Sequence, residues 1–171
     1  KSKVFTALVV VAVFSRLLPH YPNFTAMGAL AFFSAYSGKN LGKSLALMAG
    51  TMMFTDVILN NIIYPTGEFV FMYAGSIFTY VGFAAYTLTG YLSKSRKGAA
   101  LGLIVGSLLF FAISNFGVWF SPLSAYPKTV TGLLSAYTAA IPFYAPELLS
   151  SLLFTALAAY AESRVKATAQ A

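Results

Sequence analysis

The sequence predicts an all-α integral membrane protein, a single transmembrane domain over residues 1–171 built as a bundle of about six transmembrane helices plus a short interfacial or re-entrant helix. Three observations point there. Hydrophobic residues form 58% of the chain and charged ones 9%, with a mean hydropathy of +0.76, far from the usage of a soluble domain. The charged residues stand in short clusters between long apolar runs, and each run is a candidate span. The bases also fall in alternate connecting segments, as the positive-inside rule requires of a multi-pass protein.

The first helix is expected from Lys3 to Leu18, stopping at Pro19 because proline disfavours helix in the residue before it. Lys1-Ser-Lys3 ahead of an apolar stretch resembles a secretory leader, but Arg16-Leu-Leu-Pro-His20 follows with no small-x-small cleavage site, so the segment reads as a retained helix. A second helix, Phe24 to Tyr36, is too short to span comfortably and must tilt or pack inside the protein. The third runs from Gly42 to Ile63, ending before the turn Tyr64-Pro-Thr-Gly67. The fourth, Phe69 to Leu92, ends in the basic run Lys94-Ser-Arg-Lys97, and the fifth, Gly98 to Phe120, ends before Ser121-Pro122. Thr129 to Ile141 is apolar but short and is followed by Pro142 and Pro146, which predicts an interfacial or re-entrant helix. A last span then runs from Pro146 to Ala161.

With the amino end inside, nine of the 11 bases fall in cytoplasmic segments and only Arg16 and Lys128 lie outside. The expected location is a bacterial inner membrane with both termini cytoplasmic. The net charge of +7 then follows from topology and calls for no nucleic acid, so the lipid bilayer is the expected partner. Cysteine is absent, which excludes disulfides and thiolate ligands; His20 stands alone, and no metal or cofactor is expected.

This topology projects Arg16, His20, Asn23, Asp56, Asn60, Asn61, Glu68, Asn115, Trp119, Tyr126, Lys128 and Glu147 to the outer half or rim and leaves the inner half almost without ionisable groups. Asp56 lies about 20 Å along its helix from Lys43, where an ionised side chain costs about 2.5–3.5 kcal/mol by insertion scales. It needs a partner, and Arg16 or Lys128 could supply one, either as a structural bridge or as part of a pocket. Asn60 lies one turn on, on the same helical face. Tyr73, Ser76 and Tyr80 form a polar and aromatic stripe on helix four, and Asn115 and Trp119 share a face of helix five. Trp119, Tyr64 and Tyr126 fit an interfacial aromatic belt; grouped around Asp56 they would instead wall a pocket. Gly98, Gly102 and Gly106, with Ala31-x-x-x-Ala35 and Ala46-x-x-x-Gly50, offer small faces for close helix packing.

At Arg16-Leu-Leu-Pro-His-Tyr-Pro-Asn-Phe24, Gly28-Ala-Leu30, Asn115-Phe-Gly-Val-Trp119, Tyr126-Pro-Lys-Thr129, Gly132-Leu-Leu134 and Ala140-Ile-Pro-Phe143 the chain resembles an uncharacterised bacterial membrane family, a domain of unknown function described only as transport-related. In layout it is also similar to the substrate-binding S-components of energy-coupling-factor transporters. Those often carry Ala-x-x-x-Ala in the first helix for docking on the coupling subunit, whereas this chain has Ala7 and Ala12 there.

The resemblance implies capture of a small polar or anionic metabolite from outside. Arg16 and Lys128 would supply charge, with His20 and Asn23 beside them; Asp56, Asn60 and Asn115 would orient the ligand; and Trp119, Tyr73 and Tyr80 would offer stacking surface. No G-x-x-x-x-G-K-[ST] loop is present, so coupling would need separate ATPase and transmembrane coupling subunits. The alternative is a non-catalytic accessory or assembly subunit of a larger membrane complex, docking other membrane subunits on its small-residue faces. An enzyme is not expected, because His20 is the only conventional base for a nucleophile.

Overall fold

The computed structural model describes residues 2–169 and is all-helical, with no strand among them. Six α-helices follow in order: α1 Ser2–Leu17, α2 Met27–Gly38, α3 Leu41–Ile58 continuing through a π-helical turn Leu59–Ile63, α4 Ser76–Leu92, α5 Arg96–Phe120 and α6 Val130–Thr168. Short polar residues set several of the starts. The side chains of Asn40, Ser95 and Thr129 accept the backbone N–H groups of Lys43, Gly98 and Gly132, satisfying otherwise orphaned donors.

Contacts at the helix ends make every neighbour in sequence antiparallel. The Ala26 N–H donates to Ser15 Oγ where α1 hands over to α2, and Gly38 at the far end of α2 lies against Phe5 near the start of α1. Arg16 meets Asp56 of α3, Lys39 donates to the Ser93 carbonyl at the end of α4, and Gly75 before α4 lies against Gly117 of α5. Ser37 donates to Glu162 near the end of α6. The described chain therefore begins and ends at one end of the bundle, the terminal end. The long connections 18–26, 64–75 and 121–129 gather at the other, the loop end.

α2 is the centre. Met27 to Ala35 are all buried, so its apolar residues need no single face, and the short segment packs inside the protein rather than standing in lipid. Around it, α4 and α5 form the most extensive pair. Gly106 lets α5 approach the Tyr86 ring, and Gly102 sits over the Thr89 carbonyl and Ser93, so the glycine run of α5 is spent within the chain. Ala31 and Ala35 are also fully buried. Large apolar side chains such as Phe54, Ile77, Leu101, Leu108, Leu149 and Leu157 are exposed on the outside of the bundle. The segments Leu41–Ile63, Arg96–Phe120 and Val130–Thr168 are long and apolar enough to cross a membrane.

Two expectations are corrected. Helix four begins at Ser76 rather than Phe69, because Gly67 and Gly75 take positive φ of 93° and 86° and the Asn61 side chain holds Val70 by both its N–H and its carbonyl, at 2.7 and 2.8 Å. Those bonds replace the ones a helix would make. Nor is there a separate interfacial or re-entrant helix at 129–141 followed by a last span from Pro146: α6 runs through Pro142 and Pro146 without a break. Each proline deletes one backbone hydrogen bond but keeps a helical φ. The Tyr137 hydroxyl donating to the Ala112 carbonyl and the Tyr144 ring against Phe111 hold the first half of α6 on α5.

Candidate functional site

A cavity of about 610 Å³ opens at the loop end between α4, α5 and α6. Its α6 wall is the stripe Ala136, Ala139, Ala140, Phe143, Tyr144 and Glu147, whose spacing of three and four keeps one helical face turned inward. The three alanines make the room. Phe110, Phe111, Ser114, Asn115 and Val118 form the same kind of stripe on α5, and Thr79 and Phe83 supply α4. Arg16, His20, Asn23, Tyr64, Tyr73 and Tyr126 stand toward the mouth.

Glu147, which the sequence reading put in the outer half or at the outer rim, is not at the rim: it forms the closed end of the cavity. It is 5% exposed and sits at the middle of α6 among mid-helix hydroxyls. Its Oε1 accepts from the Tyr86 hydroxyl at 2.6 Å and from Ser151 at 3.1 Å, and its Oε2 accepts from Ser107 at 2.5 Å. Gly28 of α2 is part of this closure, since a Cβ there would stand 2.1 Å from Ser151 Oγ. One turn beyond Ser107 and Ser151, toward the terminal end, a second hollow of about 930 Å³ is lined by Leu103, Leu152, Thr155 and, at its mouth, Lys39, Lys94, Arg96 and Lys166. The terminal half is thus not a filled apolar block, and the Glu147 cluster divides it from the loop-end cavity.

Of the ten residues expected to bind a ligand, Arg16, His20, Asn23, Tyr73 and Asn115 line the cavity. The others do not. Asp56 is 2% exposed and forms a bridge, with Arg16 Nη2 at 2.7 Å from its Oδ1 and the Tyr80 hydroxyl donating to its Oδ2 at 2.8 Å. Arg16 Nη1 also donates to Thr55 Oγ1 at 2.6 Å, so the guanidinium belongs to the bridge on one side and to the cavity mouth on the other. Asn60 lies in the π-helical turn that begins at Leu59 and does not line the cavity; its Nδ2 is buried with no hydrogen-bond partner. Trp119 donates its indole N–H to the Pro127 carbonyl, and Lys128 donates to the carbonyls of Trp119 and Ser121, closing the end of α5 instead of facing a ligand. Tyr73 precedes α4, so it is not part of a helical stripe with Ser76 and Tyr80.

Sequence reading missed the Glu147 cluster as a site. A signal was present: Glu147 and Ser151 are four apart, and the stripe from Ala136 to Glu147 keeps helical spacing straight through Pro142 and Pro146. Reading those prolines as a boundary hid it.

No curated protein and no solved structure matches the chain. The profile of one family matches residues 1–170, and by that nearly complete span the chain belongs to DUF6580, a family of unknown function.

Proposed function

We propose that the protein is a membrane-embedded small-molecule binding protein of transport type, capturing its ligand in the loop-end cavity. The observation that carries this reading is the cavity itself. At about 610 Å³ it falls within the range of small-molecule sites, and it joins aromatic and apolar walls to a few convergent polar groups. On this reading the mouth faces outward, both termini lie in the cytoplasm of a bacterial inner membrane and all six helices cross; the base distribution supports that orientation. Uptake would then take place in company with separate energising subunits, since the chain has no phosphate-binding loop of its own. The alternative, an accessory subunit docking through small-residue faces, keeps only the exposed Ala46-x-x-x-Gly50 face, because Ala31, Ala35, Gly102 and Gly106 are consumed inside the chain.

Native mass spectrometry of the detergent-purified protein, with release and identification of bound molecules, tests the capture reading. A stoichiometric small molecule is expected on the native chain and not on Ala140→Phe, which fills the cavity while leaving the exposed helix faces unchanged. Finding only lipid, or a molecule that survives the cavity-filling substitution, would sink the proposal.

A further inference from the structure

We infer that the cavity selects a small organic cation, a protonated amine on an apolar or aromatic body, through the carboxylate of Glu147. This deepens the capture reading and rests on it. Glu147 lies at the closed end of the cavity, and among the described residues it forms no ion pair, whereas the other acidic groups near the helices are spoken for. Asp56 is held by Arg16 and Tyr80, and Glu162 lies at the terminal end with Ser37 and Lys166.

The hydroxyls of Tyr86, Ser107 and Ser151 all donate to the Glu147 carboxylate, and three donors leave about one of its four lone-pair directions open to a fourth. A ligand ammonium can provide that donor and the missing charge at once.

The two bases that suggested an anionic ligand do not supply a free positive charge. Arg16, at the mouth, is neutralised by Asp56, and Lys128 is committed to carbonyls at the end of α5. Glu147 therefore sets the sign of the cavity. Asn115 is neutral in this respect: one of its amide N–H groups donates to the Phe111 carbonyl, which leaves its side-chain oxygen as an acceptor and its second N–H as a donor. Phe83, Phe110 and Phe143 line the cavity, and aromatic rings attract cations as well as apolar groups. A bare metal ion fits poorly, since calcium takes about 6–8 oxygen ligands and one carboxylate in a cavity of about 610 Å³ cannot assemble them.

The test is calorimetric titration of the purified full chain with three probes of matched size: phenethylammonium, phenethyl alcohol and phenylacetate. Phenethylammonium is expected to bind at least about tenfold more tightly than the alcohol, with phenylacetate weakest. Glu147→Gln, which keeps the shape, with its amide oxygen accepting from Tyr86 and Ser151 and its NH2 donating to the Ser107 hydroxyl oxygen once that hydroxyl rotates, is expected to erase the preference while its melting temperature stays near that of the native protein. If that variant does not fold, the ranking on the native protein decides. Equal or tighter binding of the alcohol or of phenylacetate overturns the cation assignment and leaves the capture site standing, as does release of a neutral or anionic molecule in the mass-spectrometric experiment. Binding of none of the three, with nothing released, overturns both.

Discussion

The Tyr86 phenol donates to Glu147 Oε1 at 2.6 Å across 61 positions of sequence, tying the middle of α4 to the middle of α6 at the closed end of the cavity. A hydrogen bond to a charged group contributes about 1.5–3 kcal/mol. Tyr86→Phe keeps the buried ring and removes only the donor, so it should destabilise by about that amount. Ser151→Ala, which removes a longer bond of 3.1 Å, should cost less. Thermal unfolding of the two variants in detergent checks the order.

Arg16 and Asp56 form the ion pair between α1 and α3, and the carboxylate is 2% exposed. Removing one partner leaves the other charged and unpaired, so Arg16→Ala or Asp56→Ala should each cost about 3–5 kcal/mol. Arg16→Met combined with Asp56→Leu should recover most of that loss. A double-mutant cycle showing additive costs would mean that the pair does not couple the two helices.

Gly90 and Gly50 separate close packing from helix propensity. A Cβ at Gly90 would lie 2.2 Å from the Phe32 carbonyl oxygen, so Gly90→Ala must push α4 away from the central α2 and should cost about 1–3 kcal/mol or more. Gly50 has nothing within 4 Å, and Gly50→Ala should stabilise by about 0.5–1 kcal/mol. Melting temperatures should move in opposite directions.

Asn61 straps the 64–75 connection by its two bonds to Val70. Asn61→Ala should remove the hydrogen-exchange protection of the Val70 amide while leaving the amides within α5 unchanged. Unaltered protection at Val70 would show that the segment is held by other contacts.

The absence of native cysteine makes the crossing pattern directly measurable with single-cysteine variants. Glu68→Cys and Leu123→Cys at the loop end should react with an impermeant thiol reagent from one side of the membrane, and Lys43→Cys and Lys94→Cys from the other. Labelling of all four from the same side would refute six crossings.

Sequence alone indicated helices long and apolar enough to cross a membrane, of which the structure has three, and most helix bounds. Apolar runs, the base pattern and local stops such as Pro19, Asn40 and Ser95 act over a few residues, so α1, α3 and α5 lie within two or three residues of their expected spans. It also indicated that Asp56 needs a partner and that Arg16 or Lys128 could be it, of which the structure pairs Arg16. Tertiary structure decided the rest. Whether 69–75 is helical depends on Asn61 reaching Val70, and whether α6 survives two prolines depends on its packing against Ala112 and Phe111 of α5. The site itself was settled at that level: Lys128 went to carbonyls at the end of α5, and Glu147 came to the cavity floor because Tyr86, Ser107 and Ser151 converge there from three helices. Such contacts join residues far apart in the chain, and a linear pattern carries the energy of a helix but not the identity of the neighbour that completes it.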